Sequence, residues 1–146
     1  MCIRDREYNN EVNQEYFGLH YYSLDQIAQR LVLDAKERNS DSLNQSFKMR
    51  MAIPYGLERF WGEHLRLLKK EKPKSDYWKS TWDELVDIMK KADVTIPNDL
   101  VKVDDIKGIR NMSQKLWDLD IDEQRVAIAV LTQLCDSLVW WTQRYR

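Results

Sequence analysis

The stretch from Asp120 to Tyr145 constrains this chain most. Ala127, Val130, Leu131, Leu134, Leu138, Trp141 and Tyr145 recur at three- and four-residue steps, which is the period of one helix face, sustained over about five turns. Asp120 and Glu123 have the spacing of a capping box; if Asp122 is the cap instead, Ile121 and Val126 stand where a hydrophobic staple belongs. Val126, Ile128, Ala129, Val139 and Trp140 widen the apolar face almost all round, so this long C-terminal helix is expected to be central, with neighbours on more than one side.

The same periodicity marks further helices upstream. Ser23 and Gln26 form an S-x-x-Q start, and Leu24, Ile27, Ala28, Leu31, Val32 and Ala35 then share a face in a helix expected to end near Asn39. Leu43, Phe47 and Met51 predict a short helix stopped before Pro54. Leu57, Phe60, Trp61, His64, Leu65 and Leu68 predict another through Lys70, with cations at its end where the helix dipole favours them. Lys72-Pro73-Lys74-Ser75 looks like an exposed break, after which Ser75 or Asp76 would cap a helix carrying Trp78, Trp82, Leu85, Val86 and Met89 to about Asp93. Val94 to Asp99 suggests an extended connection, even a short strand, because Pro97 pushes Ile96 out of helical geometry. Asp104 or Asp105 would open a helix with Ile106, Ile109, Leu116 and Trp117, weakened by Gly108. The expectation is an all-α fold, a compact bundle of about five or six helices, up-and-down or partly orthogonal.

Composition agrees with that class. Four Gly and three Pro are few breakers, while 43% apolar and 32% charged residues suit a soluble globular domain able to bury a core without staples. A formal charge of -1 argues against a surface devoted throughout to DNA or anionic lipid. The longest uninterrupted apolar run, Val126 to Leu131, falls far short of the roughly 18 residues of a membrane span.

The start of the chain carries its own signal. Met1 to Arg6, Met-Cys-Ile-Arg-Asp-Arg, matches the translation of a transposon end used in short-read sequencing libraries, ATG TGT ATA AGA GAC AG, whose last codon admits only Ser or Arg. Residues 1–6 are therefore expected to be an adapter artefact, and 7–146 a single helical domain truncated at its N-terminus. Cys2 would then lose its chemical meaning. Cys135 would stand alone as a small buried hydrophobe, leaving neither a disulfide nor a cysteine cluster for zinc. A cytoplasmic location follows as an expectation.

Catalytic signals are thin. There are two histidines, no Gly-rich phosphate loop, no G-x-S-x-G and no H-E-x-x-H, so neither cofactor nor metal is expected. His20, among tyrosines, is expected to be a partly buried, hydrogen-bonded ring. Arg66, Lys69, Lys70, Lys72 and Lys74 beside Trp78 form the one local basic patch, able to grip a phosphate backbone while an aromatic stacks on a base; the alternative is a helix end running into a solvated linker. Six tryptophans are a high count, and neighbours about 100° apart on a helix cannot both turn inward. Trp140, with Val139, is thus the candidate partner-binding edge.

Arg59-Phe60-Trp61-Gly62-Glu63-His64 has the bare Arg-x4-His spacing that resembles the helical HEPN ribonuclease family. The resemblance implies metal-independent RNA cleavage in a dimer cleft, His64 moving a proton and Arg59 holding phosphate. Phe60 replaces the polar residue usual after the arginine, and the two side chains stand about 140° apart on an ideal helix. Read without the resemblance, His64 lies at the core edge with Phe60 and Leu68, and Arg59 is solvated or paired with Glu63. Taken together, the residues predict a non-catalytic interaction or scaffold subunit that docks a protein partner or itself through an aromatic helix face. The alternatives are the ribonuclease and a small helical subunit of a nucleic-acid assembly.

Overall fold

Every regular element in residues 23–146, the part of the chain that the computed structural model describes, is helical. The expectations for Met1 to Arg6, Cys2, His20 and the tyrosine-rich segment up to Tyr22 lie outside those residues. The elements are α1 (residues 23–38), α2 (Gln45–Ala52), α3 (Leu57–Leu68), α4 (Lys72–Lys91), α5 (Ile106–Trp117) and α6 (Ile121–Tyr145). Short 3-10 turns, Ser40–Asn44 and Ile53–Tyr55, flank α2. Asn39 caps the first by accepting from the Asp41 amide at 3.0 Å.

α3 lies along α4, to which it is joined by the three residues Lys69 to Glu71, and α5 packs on α3. α2 and α4 also pack on α6, and α1 is tied to α6 by hydrogen bonds from Gln29 to Tyr145 and from Ser137 to Asp25. The long C-terminal helix therefore has several neighbours along its middle and end, whereas Ile121 and Val126 in its first turns are exposed. Between the helices Trp61, Trp82, Tyr77 and Phe60 are the largest fully buried side chains. Phe60 meets the rings of Trp78 and Trp82 at 4.9 and 6.2 Å.

Several local expectations are corrected, each for an identifiable reason. Pro73 does not break the chain but sits in the first turn of α4, where an amide N–H would have no helical partner in any case. Ser75 and Asp76 are consequently inside the helix. The Glu71 carbonyl takes the first helical amides, from Lys74 and Ser75, and the buried Ser75 hydroxyl donates instead to the His64 carbonyl at 2.6 Å. Pro54 likewise continues the chain from α2 into a 3-10 turn. No strand forms among the described residues; Ile96 and Val101 pin the extended connection by burying their side chains. Asp105 caps α5 as expected, accepting from the Gly108 amide at 2.9 Å. A Cβ at Gly108 would fall 2.3 Å from the Asp105 carboxylate, so this glycine makes room for the cap. Asp120 holds the cap position of α6 without a side-chain bond; Gln124 ties the corner by donating to the Trp117 and Leu119 carbonyls.

Gly56 ends the Ile53–Tyr55 turn and starts α3 at φ 115°, a backbone conformation strained for any residue with a Cβ. An added Cβ would also lie 2.7 Å from Glu58 carboxylate oxygens. Gly56→Ala is expected to destabilise the fold by about 1–3 kcal/mol. A urea midpoint equal to that of the wild type would show that the turn relaxes without cost.

Candidate functional site

Trp140 and Trp141 diverge at the end of α6. Trp141 turns toward α1, where its indole N–H donates to the Asp25 carbonyl at 3.1 Å and carboxylate at 3.0 Å. Its ring stacks on Tyr145 at 5.7 Å, and the Tyr145 hydroxyl accepts from Gln29 at 2.9 Å. Trp140 points away from the core and is 46% exposed. It is nonetheless held: the Trp141 ring stands nearly perpendicular to it with the centroids 4.7 Å apart, and the Arg144 guanidinium sits 3.8 Å over its ring. Val139 is half-buried beside it. A cleft of about 400 Å³ opens here between α1 and α6, walled by Leu24, Asp25, Gln133, Asp136, Ser137 and Trp140. Asp25, Gln133 and Asp136 are polar residues that hydrophobic periodicity passes over, since nothing in one helix says which polar residue of another faces it.

The structure does not bring Arg59 and His64 together as a catalytic pair. Arg59 is exposed and lies 5.8 Å over the Tyr55 ring. His64 is only 7% exposed; its Nδ1–H donates to the Trp61 carbonyl one turn back, and Trp61 packs edge-on against it at 5.5 Å. This is the core-edge placement. Burial lowers the His64 pKa below its ordinary value of 6.5, the nearby Lys79 adding to the effect while the Trp61 carbonyl and Asp83 oppose it. The unfolded chain thus takes up a proton at a pH where folded His64 still resists one. The stability contributed by neutral His64 is complete above pH 6.5 and declines as pH falls from there to the lowered folded value. Urea midpoints measured from pH 7.5 down to 5 should show this decline, and His64→Asn, which keeps a donor for Trp61, should flatten it. An unchanged slope in the variant would place the decline elsewhere.

The basic patch is largely engaged with its own chain. Arg66 pairs with Glu63, Lys69 with Asp104 at 3.0 Å, Lys72 with Asp76 at 3.1 Å and Lys74 with Glu71 at 2.7 Å. Lys70 is exposed. Trp78 corrects the expected aromatic partner: it is 2% exposed and its indole donates to Gln45 at 2.9 Å, so no base can stack on it. The hydrophobic stripe that marked it as helical was already the signal of burial.

Two features escaped the sequence reading. A second open groove of about 350 Å³ runs beside α5, between Asp99, Leu100 and Asp105 on one side and Asn111, Lys115 and Asp118 on the other. Trp117 and Ile121 are exposed at the α5–α6 corner, although Trp117 falls close to the apolar stripe of its helix. Cys135 is fully buried, and the loss of water there pushes its thiol pKa far up, leaving it inert. No group of His, Cys, Asp and Glu side chains able to hold a metal occurs among the described residues. None of their helices is long and apolar enough to cross a membrane.

The described residues form an all-helical fold in which Trp140 faces outward at the edge of a cleft. No protein-family model matches the sequence, and no curated protein or solved structure resembles it significantly.

Proposed function

We propose that this chain is a non-catalytic helical interaction subunit that docks a protein partner, or a second copy of itself, through Trp140 with Val139 at its margin. The observation that carries the reading is the state of Trp140, which is exposed yet clamped between Trp141 and Arg144. A large side chain already held in place loses little freedom on binding, and tryptophans of this kind dominate the energetics of interfaces. A cytoplasmic setting belongs to the same proposal. Separation of the Arg59 and His64 surroundings withholds support from ribonuclease activity, and the internal pairing of the basic patch does the same for nucleic-acid binding.

The test is association of the full chain with and without the ring. Trp140→Ala is expected to weaken self-association in sedimentation, or binding to a captured partner, at least tenfold, about 1.4 kcal/mol or more. Its melting temperature should stay close to that of the wild type. Equal association by both proteins would end the proposal.

A further inference from the structure

Resting on that docking reading, we infer that the partner is a second copy of this chain, whose α6 lies antiparallel along the outward face of the first. At about 3.6 residues per turn, Asp122, Val126, Ala129, Gln133, Trp140 and Arg144 fall within about 40° of one line on the helix, and all six are exposed. That line runs opposite the buried one of Ala127, Leu131, Leu134 and Leu138. The outer face of a helix without a partner carries polar and charged residues, whereas Val126, Ala129 and Trp140 place apolar surface there.

Charge and symmetry select the second copy. Asp122 and Arg144 each lie 11 residues from Gln133, and Val126 and Trp140 each lie 7, which is about three and two turns. A two-fold axis at Gln133 therefore faces Asp122 of one copy with Arg144 of the other, and Val126 with Trp140, and repeats both contacts on the far side of the axis. At the axis the Gln133 amide both donates and accepts, so it can bond to its own counterpart. The small side chain of Ala129 lets the helices approach.

Neither end charge meets an opposite charge within its own fold. Arg144 reaches the Trp140 ring, the Trp140 carbonyl and the Gln143 amide oxygen, all of them neutral. Asp122 stands in the first turn of α6 and makes no side-chain hydrogen bond among the described residues. Asp136, on the same face, is already paired with Arg50 and stays out of the exchange. A parallel pairing would set Asp122 against Asp122 and Arg144 against Arg144, which like-charge repulsion opposes.

Sedimentation equilibrium of the full chain tests this. The wild type is expected to dimerise. Asp122→Arg and Arg144→Asp are each expected to raise the dimer dissociation constant about fivefold or more, because each change acts at two symmetric contacts. Mixed together, the two variants should recover most of the wild-type association, since each then meets the opposite charge on the other. Circular dichroism melts confirm that both are folded. Variants that associate no better in the mixture than alone would overturn the antiparallel arrangement. A wild-type chain that stays monomeric through the concentration series would overturn the second copy, and docking would then stand only on a different partner whose binding is lost with Trp140→Ala. A dimer that answers to the charges but not to Trp140→Ala would overturn the docking reading and leave the helix pairing standing.

Discussion

Trp82→Ala is expected to cost about 3–5 kcal/mol, enough to bring a domain of ordinary stability, about 5–15 kcal/mol, to the edge of unfolding. Trp82 is completely buried in α4 and packs its ring toward Phe60 of α3, and these two helices are in extensive contact. Removing the indole empties the layer between those helices, and the rigid rings around it cannot collapse to fill the space. Among the described residues Trp82 Nε1 has no hydrogen-bond partner, so the loss is one of packing alone. Trp82→Phe, which also removes that unpaired N–H, should therefore cost much less. Urea unfolding followed by circular dichroism checks both; an alanine variant within about 1 kcal/mol of the wild type, the size of an ordinary surface change, would contradict the assigned core.

Ser46→Ala is expected to destabilise by about 1–6 kcal/mol, from about 1–3 for each of up to two buried groups left unpaired. The Ser46 hydroxyl joins the Tyr77 hydroxyl at 2.5 Å and the Thr142 hydroxyl at 2.6 Å, linking α2, α4 and α6 inside the core. All three residues are fully buried. Loss of the central member leaves Tyr77 with an orphaned hydroxyl, while Thr142 can turn back to a carbonyl of its own helix, which sets the lower end of the range. Tyr77→Phe keeps the Ser46 to Thr142 bond and should cost less than Ser46→Ala in the same unfolding measurement. The reverse order would show that the chain of hydroxyls is not the element that registers the three helices.

The two predictions sit on opposite sides of what a sequence can disclose. Trp82 belongs to a stripe with Trp78, Leu85 and Met89, and its burial follows from the repeat. Ser46 lies between Leu43, Phe47 and Met49 with nothing local to distinguish it from a solvent-facing serine. Its importance comes from Tyr77 and Thr142, 31 and 96 residues away. Gly108 shows a related limit: on propensity it is a weak point in α5, and only the position of the Asp105 carboxylate reveals that the missing Cβ makes room for the cap.

The candidate site divides in the same way. That Trp140 and Trp141 cannot both face inward is a property of helix geometry. Which one turns out depends on Asp25 of α1, which captures the Trp141 indole and leaves Trp140 exposed. The cleft and its carboxylates exist only because α1 lies beside α6.

By itself the sequence determined the all-helical class, the long C-terminal helix and most of its apolar contacts, because backbone hydrogen bonding and side-chain periodicity repeat within a few residues. Only the tertiary structure decided that Pro73 starts a helix, that Trp78 is sealed from any ligand, that His64 and Arg59 do not meet as a pair, and that Trp140 borders an acidic cleft. Each of these depends on which faces of separate helices meet, and that choice is made by packing and by polar groups seeking partners across the whole fold.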